Sequence, residues 1–155
     1  MVEGMTSSKE SQPLAARLVG NWALVSFEAV SDGQTEYPWG PDVVGLLMYD
    51  RAGHMAAQVM KTGRPLFASG AQGRGTIEEV SAAFTGYAAY YGTYSVDERA
   101  AVVTHHVAAS MFPNWVRSDQ RREVSFEEGR LTLSTPPTLY QGAERIFRLV
   151  WKRLE

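Results

Sequence analysis

Short runs rich in β-branched and aromatic residues recur along the chain, separated by clusters of Gly, Pro, Asp and Ser. That is the pattern of half-buried strands joined by turns. Eight runs qualify: Asn21–Val30, Val43–Tyr49, His54–Lys61, Gly92–Val96, Ala101–Ala109, Arg121–Glu127, Arg130–Ser134 and Arg145–Lys152. Ser31-Asp32-Gly33, Asp50-Arg51-Ala52-Gly53 and Glu128-Gly129 supply turn chemistry, and Pro136-Pro137 ends the seventh run. Tyr37-Pro38-Trp39-Gly40-Pro41 is excluded as a central strand, because proline has no N–H to give to a ladder.

One segment changes period. Thr76 followed three residues later by Glu79 reads as a capping box, and Ile77, Val80, Phe84 and Tyr87 form an apolar stripe. This predicts one main helix over Ile77–Tyr90, with Gly86 weakening its last turn. A short helix or turn is expected at Leu14–Val19, and Thr62–Gly75, with its glycines, reads as a loop. Eight strands at short spacing with one helix predict an all-β fold, an eight-stranded antiparallel up-and-down barrel. A barrel of that size has room for side chains or one small ligand, and none for a water channel.

Composition narrows the partners. With 155 residues, 45% apolar and 21% charged, the chain has the make-up of one globular domain. The domain is expected over residues 14–155, after a disordered leader at 1–13 that has no apolar signal core. Fifteen Lys and Arg against seventeen Asp and Glu leave a net charge of −2, no electrostatic basis for nucleic acid or an anionic membrane surface. No run approaches the length of an apolar membrane span. The absence of cysteine excludes disulfides, thiolate metal sites and thiol catalysis, and fits a reducing cytoplasm. No phosphate loop, no nucleophile elbow and no zinc-ligand spacing is present. No cofactor or metal is therefore expected, and a homodimer is left open.

Several segments together resemble the bacterial and fungal lipocalin-like domain family over about Leu14 to Arg153. They are Leu18-Val19-Gly20-Asn21-Trp22, Tyr37-Pro38-Trp39-Gly40, Gly45-Leu46-Leu47-Met48-Tyr49 and Gly53-His54-Met55. Phe84-Thr85-Gly86-Tyr87, Thr104-His105-His106-Val107, Phe112-Pro113-Asn114-Trp115 and Leu133-Ser134-Thr135-Pro136-Pro137 continue the pattern. The resemblance implies an eight-stranded barrel with a helix over one side or end and says little about function, although some relatives occur near secondary-metabolite pathways. Relatives often carry an acid two positions after the second His, where this chain has Ala108.

Few residues can carry chemistry. His105 and His106 are adjacent on one strand, so only one faces inward. Thr104, His106, Ala108 and Ser110 form the small, polar set, which favours His106 as the cavity residue and general-base candidate. His54 reads as an exposed turn residue. Tyr49, Tyr87, Tyr90, Tyr91 and Tyr94 are candidate phenol donors, with Tyr49 placed at a barrel mouth and Tyr87 in the helix stripe. Gln58, Trp39 and Trp115 are candidate lining. Glu28 shares strand parity with Trp22, so an inward Trp22 brings Glu28 inward unless a bulge intervenes, with Arg122 or His106 as its partner. Trp22 is expected to plug the closed end, covered by Arg145 or Arg148.

The leading function is non-covalent binding of a small hydrophobic or amphipathic molecule. The alternative is a cofactor-independent isomerase or cyclase acting on a polyketide-like or other hydrophobic secondary metabolite, with His106 or His105 as base and a Tyr such as Tyr49 as oxyanion donor. A haem binder and a filled interaction module rank below both.

Overall fold

Each long strand pairs with the next long strand, and the last returns to the first. In a computed structural model, which describes residues 12–155, the long strands are all antiparallel. They are β1 (Gly20–Ser31), β3 (Val43–Tyr49), β4 (His54–Lys61), β5 (Tyr87–Asp97), β6 (Val102–Ser110), β7 (Asp119–Glu127), β8 (Arg130–Ser134) and β10 (Ala143–Arg153). Pairing of β1 with β10 closes these eight into a barrel. Two three-residue strands, β2 (Gln34–Glu36) and β9 (Thr138–Tyr140), extend β1 and β10 at the same end. Residues 1–11 of the expected leader lie outside the described residues. Among the described residues no helix is long and apolar enough to cross a membrane.

The opposite end is closed. The short helix α1 (Leu14–Leu18) leads into β1, and the Glu98 carboxylate accepts from the backbone N–H groups of Leu14 and Ala15 at 2.7 and 2.9 Å. Leu18 is buried, and Trp22 is 1% exposed and donates its indole N–H to the Leu18 carbonyl at 2.9 Å. The cation over Trp22 is Arg153, 4.1 Å from the ring centroid, rather than Arg145 or Arg148. Arg153 ends β10 opposite Trp22 and donates to the Val19 carbonyl at 2.7 Å, whereas Arg145 lies over Tyr140 and Arg148 pairs with Glu28. Gly20 makes this closure fit. Its φ is +134°, and a Cβ there would stand 2.5 Å from the Arg153 guanidinium.

Two β-bulges set which side chains face in. On β1, Leu24 pairs with Trp151 and Ser26 with Val150, so Val25 is the extra residue. On β6, Val107 pairs with Gly92 and Ala109 with Tyr91, so Ala108 is extra. The second bulge presses against Gly92, where a Cβ would lie 1.9 Å from the His106 carbonyl oxygen.

The main helix, α2 (Ile77–Thr85), begins with the expected capping box of Thr76 and Glu79 and is shorter than its periodicity predicts. Gly86 caps it, donating to Ala82 and Phe84 carbonyls, and Tyr87 to Tyr90 instead join β5 in register with β4. The ladder bonds and the β preference of aromatic residues outweigh the helical spacing. Its apolar stripe is also not core: Ile77 is 85% exposed, and no residue of α2 is buried.

Candidate functional site

Between the plugged end and the β2–β9 end lies a cavity of about 450 Å³, within the range of small-molecule sites. Alternation along three strands builds its walls: Phe147, Leu149 and Trp151 on β10, Ala57 and Val59 on β4, and Gln120 and Arg122 on β7. After the Val25 bulge, β1 contributes Phe27, whose ring meets Trp39 edge-on at 5.2 Å and stacks with Phe147 at 5.9 Å. Half-buried Trp39 and exposed Thr138 stand where the cavity reaches the surface.

The polar centre is His105. Val103, His105 and Val107 are all buried, so the apolar parity set of β6 faces inward and takes His105 with it. Burial of an imidazole requires partners for both nitrogens. Tyr49 Oη lies 2.6 Å from Nε2 and Tyr90 Oη 2.7 Å from Nδ1. Tyr94 holds Tyr49 from behind, edge-on at 4.8 Å, with its own hydroxyl on the Asp50 carbonyl at 2.7 Å. Burial lowers the His105 pKa to about 3, helped by the positive charge of Arg122 and by His106. The imidazole is therefore neutral at pH 7. Burial also raises the Tyr49 and Tyr90 phenols above their ordinary value, so both keep their protons.

The candidates from sequence separate into two groups. His105, Tyr90, Trp39, Trp115 and Arg122 line the cavity, and Tyr49 lies directly behind His105. The preference for His106 is reversed. His106 is on the outer face, with Nδ1 2.7 Å from Asp119 and Nε2 2.9 Å from Ser95. Two valines in the His105 set lose more by exposure than one satisfied imidazole loses by burial. Gln58 is also outside, accepting from the Tyr87 hydroxyl, because Met55, Ala57 and Val59 take the inward parity of β4. Tyr87 is thus a strand residue on the outer side. Glu28 is turned outward by the Val25 bulge and accepts from Arg148 Nε and Nη2 at 3.0 and 2.7 Å, not from Arg122 or His106. His54 is exposed but opens β4, paired with Thr93, rather than lying in the turn, and its Nδ1 is 3.0 Å from Asp50.

Phe27, Gln120, Phe147 and Trp151 line the cavity and were not singled out in the sequence. Trp151 carries a further peculiarity: its buried indole N–H has no hydrogen-bond partner among the described residues. Also among the described residues, no aspartate or glutamate lines the cavity, no carboxylate lies within ion-pairing distance of Arg122, and no group of three His, Asp or Glu could hold a metal ion.

Residues 19–154 match the lipocalin-like domain family, and the chain belongs to it. A 4'-hydroxy-3'-methoxypropiophenone carrier protein of Aspergillus oryzae is 36% identical over 107 residues, which span 64% of this chain and 96% of that protein. A crystal structure of a lipocalin-like protein from Bacteroides uniformis is 18% identical, with a TM-score of 0.41 over 84% of this chain and 96% of that one.

Proposed function

We propose that this protein is a non-covalent carrier of a small aromatic molecule held inside the barrel. The observation that carries the reading is the cavity of about 450 Å³, walled by Phe27, Trp39, Trp115, Phe147 and Trp151 with only a few directed polar groups. Aromatic side chains around a largely apolar space favour a flat, apolar guest through edge and face contacts. The relative from Aspergillus oryzae, a carrier of a phenyl ketone by its name, supports a guest of this kind.

The acid–base alternative has weaker support. A general base works best with a pKa near the working pH. The His105 pKa is about 3, and both ring nitrogens are engaged by phenols. The same engagement leaves no free imidazole nitrogen in the cavity to ligate haem iron, and His106 faces away.

Native mass spectrometry of protein purified from its producing cells tests the carrier reading. The expected result is one small molecule per chain, released unchanged on denaturation. A ligand converted to a second compound during incubation would overturn it in favour of an enzyme. Protein that neither carries nor takes up any of a panel of aryl ketones, phenols and naphthalenes would overturn it in favour of a filled module.

A further inference from the structure

The directions of the hydrogen bonds around His105 follow from counting protons. A neutral imidazole has one N–H and one acceptor nitrogen. The two phenols therefore play opposite roles, one giving its proton to the ring and the other accepting from it. Tyr49 is 3% exposed, does not line the cavity, and its hydroxyl has no partner besides His105 Nε2 among the described residues. If Tyr49 accepted, its own proton would be buried without an acceptor, at the full desolvation penalty. Tyr49 must therefore donate to Nε2. The ring proton then sits on Nδ1 and is given to Tyr90 Oη.

Tyr90 is left as the end of the chain. Its oxygen accepts from His105, and its own O–H has no partner among the described residues. Unlike Tyr49, Tyr90 lines the cavity. On the rest of the polar wall the Arg122 guanidinium is a donor only, the Gln120 amide oxygen accepts from it at 3.5 Å, the Thr135 hydroxyl accepts from the Phe147 N–H, and the Thr138 hydroxyl gives its proton to the Pro136 carbonyl; among the described residues no carboxylate lines the cavity. A cavity that offers protons and few acceptors selects a guest with acceptor oxygens.

We propose that Tyr90 is the specificity-determining residue of this cavity: the Tyr49→His105→Tyr90 chain fixes its hydroxyl as a donor, which selects aromatic guests bearing a carbonyl or comparable acceptor oxygen over matching hydrocarbons. This rests on the carrier reading and names the class of its ligand. Tyr49 is a positioning residue that acts through His105 without touching the guest.

The test uses 2-acetylnaphthalene and 2-ethylnaphthalene, which differ chiefly in the carbonyl. Dissociation constants are measured by calorimetry for the full chain, Tyr90→Phe and Tyr49→Phe. Tyr90→Phe is expected to weaken the ketone about three- to tenfold, as for loss of one neutral hydrogen bond, and to leave the hydrocarbon within about twofold. Tyr49→Phe is expected to weaken the ketone selectively as well, because the ring is then free to change tautomer. Two further readouts need no variant. The ¹⁵N spectrum of histidine-labelled protein should show His105 protonated at Nδ1, and the carbonyl stretch of bound 2-acetylnaphthalene should fall below its value in hydrocarbon solvent. Equal effects of Tyr90→Phe on both probes, a proton on Nε2, or a carbonyl stretch like that in hydrocarbon would overturn the assignment with the carrier reading intact. Failure of both probes to bind the unaltered chain, with no other guest found, would overturn both.

Discussion

The hydroxyl of Tyr49 lies 2.6 Å from Nε2 of His105, behind the cavity wall rather than in it. This contact gives a hydrogen-bond partner to one nitrogen of an imidazole that burial keeps neutral. It also turns the opposite nitrogen towards the ligand space, where Tyr90 receives it.

Stability should therefore depend on pH in a way traceable to His105. In the unfolded chain the imidazole titrates near 6.5, and in the fold its pKa is lowered to about 3. Below pH 6.5 the unfolded chain takes up a proton that the native state refuses. The contribution is complete above pH 6.5 and is lost as pH falls from 6.5 towards 3, at up to about 1.4 kcal/mol per pH unit. Urea unfolding of the parent and of His105→Gln between pH 6.5 and 4 should show a shallower slope in the variant. Parallel slopes would mean that the buried imidazole is charged or solvated.

His106 offers the matching control. It faces outward against Asp119 and Ser95, 41% exposed at its side chain. His106→Ala should leave the affinity for any cavity ligand within about twofold and change stability by no more than about 1 kcal/mol, the range of exposed ion pairs. A loss of binding comparable with that of a cavity substitution would place the wrong histidine inside.

The plugged end is predicted to be unforgiving. Trp22→Ala removes a fully buried indole, its bond to Leu18 and the platform under Arg153. Chemical denaturation should register a loss of about 3–5 kcal/mol. Gly20→Ala should cost about 1–3 kcal/mol, because its φ of +134° disfavours any side chain and the new Cβ would press on Arg153. Parent-like midpoints for both would contradict this closure.

Much of the barrel was legible because strands advertise themselves locally. Turn residues at Ser31–Gly33, Asp50–Gly53 and Glu128-Gly129 fix where pairing restarts, and all eight strands follow. The helix was misread at its end because Tyr87 and Tyr90 suit a strand as well as a helix, and only pairing with β4 decides between them. The site was harder. A bulge inserts one residue and reverses every later side chain, and nothing in Leu24-Val25-Ser26 announces it. It turned Glu28 outward and brought Phe27 in. For β6 the signal was present, since Val103 and Val107 flank His105 at the spacing of one strand face. Reading a pocket as a polar surface hid that signal. Tyr90 was one of five tyrosines, and its distinction lies in a contact to a residue on another strand.

The most direct test of the carrier account is calorimetric titration of 2-acetylnaphthalene into the parent chain and into Ala88→Trp. Ala88 lines the cavity and makes none of the side-chain hydrogen bonds described above, so a tryptophan there fills the space and leaves the Tyr49–His105–Tyr90 chain in place. The account predicts saturable binding of one molecule per parent chain. In a variant whose circular dichroism is unchanged, it predicts affinity reduced by about a hundredfold or more, the equivalent of roughly 2.7 kcal/mol. Equal affinity in the two proteins would place the ligand outside the barrel and contradict the central claim.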